Sequence, residues 1–258
     1  MGFSVIIPAR YASSRLPGKP LIELCGKPLI QHVYQRVIQC DARQVIIATD
    51  DTRIEGIAKK FGADVCMTSH SHRSGTERIK EVADKRGFTD DEIIVNVQGD
   101  EPLMSFENVN QVAAMLQKQV KIPVATLCAG ITNVADIFDP NVVKVIRDKN
   151  NVALYFSRAP IPWDRKNFPI DGEEISGQLT ELRYSYLKHI GIYAYRTSFI
   201  NDYLTWSQTG LEAVEMLEQL RILEQGSRIL VDVAHNDPGI GIDTEADLER
   251  VRAILAAS

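Results

Sequence analysis

Tryptophan, cysteine and long apolar runs are all scarce in this 258-residue chain, and each scarcity closes off a class of protein. It has two Trp and four Cys, and Cys25, Cys40, Cys66 and Cys128 form no Cys-x-x-Cys pair. That argues against a disulfide-stapled scaffold and against a zinc site, and reads the thiols as reduced, packed residues of a cytoplasmic protein. No apolar stretch reaches the length needed to cross a bilayer, so membrane insertion is not expected. The apolar run before Pro8 is too short for a secretion-signal core, and Ile6 breaks the myristoylation pattern. Positive charge is not in excess either. A net charge of -5 argues against a broad nucleic-acid face. What remains is ordinary globular usage, with 45% apolar and 24% charged residues.

Short apolar runs alternate with helical patterns through the first half. Strands are expected over 5–8, 45–49, 63–67, 93–97 and 124–128, with helices over 29–40, 52–61, 75–86 and 107–118. Leu29, Val33 and Val37 recur every four residues, on one helical face. Runs such as Ile93-Ile94-Val95 lack alternation, as strands covered on both faces do. The order predicts an α/β fold with a mainly parallel, doubly wound sheet flanked by helices. After about residue 130 the rhythm changes, with strands over 142–146, 152–156 and 190–195 around a Pro-rich segment and a polar stretch over 166–182. A helix over 211–225, a strand over 229–234 and a helix over 245–255 complete the chain. One domain over 1–258 is expected, with a smaller lobe inserted at about 130–200.

The densest chemistry lies at Pro8-Ala-Arg-Tyr-Ala-Ser-Ser-Arg-Leu-Pro-Gly-Lys-Pro20. It carries Arg10, Arg15 and Lys19 with no acid, in a chain that is acidic as a whole. A cationic loop following a strand, with Gly18 permitting close backbone approach, suits the phosphates of a nucleotide. Asp100, in Asn96-Val-Gln-Gly-Asp-Glu-Pro102, ends another strand at the same sheet edge. It reads either as a turn residue or as a carboxylate holding Mg²⁺ against phosphate oxygens. Asp243, in Gly239-Ile-Gly-Ile-Asp-Thr244, reads either as a helix cap or as a second carboxylate for the same ion. Ser74 and Glu77 suit a capping box for the helix over 75–86, while the Ser74-Gly75 backbone equally suits close approach to a nucleobase. His70 and His72 lack a third ligand and read as solvent-facing. His189, Tyr193, Glu218 and Gln219 are polar positions within apolar patterns, and Arg158 and Arg165 flank a rigid Pro/Trp segment suited to presenting a guanidinium to a carboxylate.

The strings IIPARYASSRLPGKPL, SGTERI, NVQGDEP, ALYFSRAPIPWDR, HIGIYAYR, EMLEQLR and GIGIDTEADLERVR run in this order along nearly the whole chain. Together they closely resemble the 3-deoxy-manno-octulosonate cytidylyltransferase family. That family joins the sugar acid Kdo to CMP from CTP, releasing pyrophosphate, in lipopolysaccharide synthesis. The resemblance implies a Rossmann-like nucleotidyltransferase fold, a homodimer and Mg²⁺ as cofactor. It implies Arg10 and Lys19 on the CTP phosphates with Arg15 in support, and Ser74, Gly75 and Gln98 around the nucleotide. It further implies Asp100 and Asp243 as Mg²⁺ ligands, and Arg165, His189, Tyr193, Glu218 and Gln219 lining the Kdo pocket. A sialic acid or other acidic-sugar cytidylyltransferase is the rival within enzymes, and a non-catalytic CTP-binding regulator the rival outside them.

Overall fold

The computed structural model of the chain describes residues 2–12, 16–72, 74–168 and 184–257. In chain order, β1 (Phe3–Ala9) leads through a 3₁₀ turn at Lys19–Leu21 to the short pair β2 (Glu23–Leu24) and β3 (Lys27–Pro28). There follow α1 (Leu29–Val37), β4 (Gln44–Thr49), α2 (Thr52–Lys60), β5 (Asp64–Met67), α3 (Gly75–Arg86), β6 (Ile93–Asn96), α4 (Phe106–Lys118) and β7 (Val124–Gly130). The remainder holds α5 (Val134–Phe138), β8 (Lys144–Arg147), β9 (Ala153–Ser157), β10 (Leu187–Arg196), α6 (Thr197–Tyr203), α7 (Gly210–Glu215), α8 (Gln219–Glu224), β11 (Ile229–Val233) and α9 (Glu245–Ala256). The chain divides into two compact units, the first made of Met1–Ala125, Gly191–Trp206 and Ala234–Ser258, the second of Thr126–Ile190 and Ser207–Val233. The second unit thus takes in 207–233 as well as most of the stretch read as an inserted lobe, while Gly191–Trp206 belong to the first.

In the first unit β1 lies between β4 and β6, parallel to both, with Val5 level with Val45 on one side and Val95 on the other. β5 extends the parallel set beyond β4, and on the other side β10 pairs antiparallel with β6. Val5, Ile6, Ile7, Ile46, Ile47, Ile94 and Val95 are completely buried, which explains why their runs do not alternate. Each such side chain contributes about 1.5–3 kcal/mol of hydrophobic stabilisation. Helix α1 turns Leu29, Ile30, Val33 and Val37 inward. Helix α3 runs over the span its pattern predicts because both ends are marked. Ser74 accepts a hydrogen bond from Glu77 N, and Gly87 leaves the helix at φ 66°.

The second unit pairs β8 with β9 antiparallel, Val145 facing Phe156. Here one expectation fails. The single helix over 211–225 is two helices, parted at Met216, which adopts φ 53°. Local pattern loses to tertiary anchors. Arg158 Nε donates to Glu215 O at 2.7 Å, and the Glu215 carboxylate accepts from Ser157 Oγ at 2.6 Å and Arg158 N at 2.9 Å. Buried Glu212 accepts from Arg221 Nε at 2.7 Å. Several charge-assisted bonds outweigh the roughly 1–2 kcal/mol cost of a left-handed residue. Leu217 and Glu218 therefore sit at a helix junction rather than along one helical face.

Candidate active site

β1 and β6 end side by side, Ile6 level with Asn96, so the cationic loop and the acidic loop leave the sheet together. Val97 N still donates to Ile6 O at 3.2 Å as the strands part. Gly99 then crosses directly over β1. A Cβ at that position would lie 2.7 Å from Pro8 O, so only glycine lets the two backbones pass this closely. Beyond the crossing is a cavity of about 350 Å³ lined by Pro8, Arg10, Lys19, Gly75, Gln98 and Asp100 among others. Gly75 brings the amino end of α3 to its wall, its ideal Cβ position 3.9 Å from Pro8 Cγ.

Lys19 is the centre of the site. Its ammonium donates to Asp100 Oδ2 at 2.7 Å, to Ile242 O at 2.6 Å and to Asp243 Oδ1 at 3.3 Å. Two carboxylates far apart in sequence thus meet on one cation. A main-chain bond from Ile242 N to Asp100 O, 2.9 Å, docks the second acidic loop on the first. The capping role considered for Asp243 belongs to its neighbours, since Thr244 and Asp247 form the capping box of α9. Nor is Asp100 only a turn residue, because its carboxylate is drawn into the ammonium contact.

Two residues given no role from sequence stand out. Part-buried Glu101 lies next to the carboxylate pair, in room made by Gly191 and Gly241, whose ideal Cβ positions lie 3.3 Å from its Oε1 and 3.6 Å from its Cγ. Burial, with repulsion from Asp100 and Asp243, pushes its carboxyl up to about 8. It therefore adds little negative charge to the site at neutral pH. Fully buried Arg78 reaches from α3 to Asp50 Oδ2 at 2.7 Å and to Thr68, tying the start of α3 to the sheet. SGTERI contains Arg78, yet nothing local reveals that its guanidinium points inward.

Among the remaining candidates, Tyr193 is buried on β10, level with Asn96 of β6. Arg165 is exposed in the turn that Asp164 opens towards Phe168. Glu218 opens α8, and Gln219 is buried with its Nε2 lacking any hydrogen-bond partner among the described residues. Arg15 lies outside the described residues, as does most of the polar stretch over 166–182. The two histidines of the Thr68–Ser74 segment part company. His70 is exposed, but His72 is part-buried and not solvent-facing, because its Nε2 lies 2.5 Å from Glu81 Oε2. Among the described residues no group of three or more His, Cys, Asp or Glu could hold a metal.

His189 is neutral. Its Nε2 lies 3.1 Å from Thr126 Oγ1, whose own proton goes to Ile190 O at 3.1 Å, so the ring nitrogen is the donor. Burial lowers the pKa from 6.5 to about 3. On acidification the unfolded chain takes up a proton that the folded ring refuses, so stability is lost as pH falls through the ordinary value of 6.5. Between pH 7 and pH 5 this amounts to about 2 kcal/mol. Urea unfolding at both pH values should show His189→Gln losing that much less stability than the wild type. Equal losses would mean that the folded ring protonates normally.

A cytidylyltransferase family model matches residues 4–229. A 3-deoxy-manno-octulosonate cytidylyltransferase of Aliivibrio salmonicida (strain LFI1238) is 54% identical over 256 residues, spanning 99% of this chain and 100% of the relative. One from Haemophilus influenzae (strain 86-028NP) is 53% identical over 258 residues, 100% of both chains. Among solved structures, a CMP:2-keto-3-deoxy-manno-octonic acid synthetase complexed with CTP superposes with a TM-score of 0.88 at 42% identity, covering 100% of this chain and 99% of that one.

Proposed function

The chain belongs to the 3-deoxy-manno-octulosonate cytidylyltransferase family, and from that premise we propose that it activates Kdo: CTP and the sugar acid give CMP-Kdo and pyrophosphate. The observation that carries this reading is the meeting of Asp100 and Asp243 on the Lys19 ammonium beside the cavity of the basic loop. An ammonium held between two carboxylates marks a place where a cation is welcome. Mg²⁺ binds through one or two carboxylates completed by phosphate and water, so the donor set fits it. Asp100 and Asp243 would hold the ion, which when bound polarises the α-phosphate and eases ionisation of the attacking hydroxyl.

The chain's own residues supply the rest. Arg10 and Lys19, with Arg15, neutralise the triphosphate and the charge that grows on departing pyrophosphate. Ser74, Gly75 and Gln98 hold the nucleotide so that the Kdo 2-hydroxyl approaches the α-phosphorus in line with the leaving oxygen. Such a transfer depends on positioning and charge neutralisation and needs no covalent protein nucleophile. Arg165 pairs with the sugar carboxylate. His189, Tyr193, Glu218 and Gln219 bind its hydroxyls, a role supported by the buried Gln219 amide, which has a donor to offer, while burial favours the neutral form of the His189 ring.

Dimerisation is part of the proposal, supported by Leu154, Val214 and Met216, which the second unit leaves 60%, 83% and 74% exposed. A cytoplasmic location fits four free thiols and the absence, among the described residues, of any helix long and apolar enough to cross a membrane. The test is pyrophosphate release from CTP and Mg²⁺ with Kdo or with N-acetylneuraminate. Release is expected with Kdo. Release with N-acetylneuraminate alone, or CTP binding without release for either sugar, would overturn the assignment.

A further inference from the structure

Lys19 can grip phosphate only if its backbone is held still, and the residues that hold it lie outside the cavity. Tyr11 directly follows Arg10 but does not line the cavity, whereas Arg10, Ala12 and Lys19 do. Its carbonyl accepts from Gly18 N at 3.0 Å, closing the loop end to end just before Lys19. Gly18 has φ 70°, and a Cβ there would lie 3.1–3.2 Å from Tyr11 Cζ, Cε2 and Oη. The phenol ring therefore rests on the bare face of Gly18, and glycine is required twice over, for its dihedral angle and for this contact. From Lys19 the chain turns at once into the 3₁₀ segment, with Leu21 N bonded to Gly18 O at 2.8 Å and Ile22 N to Lys19 O at 3.1 Å.

A guanidinium also packs on the ring. Arg53 Cζ lies 3.3 Å from the Tyr11 ring centroid. Arg53 is itself fixed, since Asp51 takes its Nε at 3.0 Å and its Nη2 at 2.6 Å in a bidentate fork and also accepts its backbone N–H at 2.9 Å as the cap of α2. The contacts run from the α2 cap through a chelated guanidinium and an aromatic ring to the glycine that precedes Lys19. None of these side chains reaches the cavity.

The geometry points to Tyr11, clamped by Arg53, as a positioning residue for the phosphate grip. It holds Arg10 and Lys19, the two ends of the loop, at the separation a triphosphate needs. The clamp works through the ring's face and bulk, because a cation–π contact depends on the π-system and not on the phenolic hydroxyl. It rests on the reading that this loop binds the CTP phosphates, and the tests are chosen to separate the two.

Full-length Tyr11→Ala, Tyr11→Phe, Arg53→Met and Lys19→Met are compared by CTP titration calorimetry, steady-state kinetics and thermal melting. Tyr11→Ala should weaken CTP binding by about tenfold or more, since small displacements of a positioning group carry penalties of this size. The KM for Kdo should stay near the wild-type value, which general loosening of the fold would not allow. Tyr11→Phe should restore CTP affinity to within about twofold, because it keeps the ring. Arg53→Met should fall between them, and it keeps the test alive should Tyr11→Ala fail to fold. Wild-type CTP affinity in both Tyr11→Ala and Arg53→Met, with Lys19→Met impaired, would overturn the clamp while leaving the phosphate reading standing. A Tyr11→Phe protein as impaired as Tyr11→Ala would overturn it too. Unchanged CTP affinity in Lys19→Met would sink the phosphate reading, and the clamp with it.

Discussion

Asp100→Asn should lower kcat/KM for CMP-Kdo formation by at least about 100-fold, the loss typical of removing one well-placed electrostatic group from a transition state. The amide keeps the shape of the side chain and loses its charge. The Lys19 ammonium, 2.7 Å from Asp100 Oδ2, would then keep Asp243, at 3.3 Å, as its one carboxylate partner among the described residues. The variant should fold, since Asp100 is part-exposed and the bond from Ile242 N to its backbone oxygen survives substitution. Pyrophosphate release, read beside circular dichroism to establish folding, makes the comparison. A folded variant turning over near the wild-type rate would remove Asp100 from the chemistry.

Lys19→Met should be as damaging to turnover and opposite in its effect on metal. The ammonium spends its three protons on Asp100, Asp243 and Ile242 O. A divalent cation entering between the same carboxylates meets a positive charge already there, and repulsion over a few ångströms is substantial even in a partly aqueous setting. Nucleotide phosphate offers the ammonium another partner. Removing it should therefore cut turnover by about 100-fold or more, yet tighten Mn²⁺ binding to the nucleotide-free protein, as followed by electron paramagnetic resonance. Weaker or unchanged Mn²⁺ binding would show that the ammonium does not compete for the pair.

The parallel strands were legible because burial on both faces leaves runs such as Ile93-Ile94-Val95 with no polar interruption. Helix α3 was legible because Ser74 and Gly87 mark its ends locally. The split at Met216 was not, since the groups that draw Glu215 away, Ser157 and Arg158, lie nearly sixty residues earlier, at separations of 58 and 57. The same distinction holds in the site. A basic loop and an Asp after a strand are sequence-local, and α/β topology places both at one edge. Glu101 acquires its proton affinity first from burial, in room left by Gly191 and Gly241 of other segments, and then from neighbouring Asp100 and distant Asp243. Tyr11 reads as one more loop residue until Arg53 is seen over its ring. Charge shows in a sequence; a group's surroundings show only after folding.

Gly99 has a bearing on how this site can evolve. With 2.7 Å between its would-be Cβ and Pro8 O, position 99 admits a single amino acid. The distance from the basic wall to the acidic wall is then set by the thickness of two peptide planes in contact, and side chains on either loop can vary without altering it. Substitutions elsewhere on the two loops therefore leave the gap between the walls where the Gly99 crossing sets it.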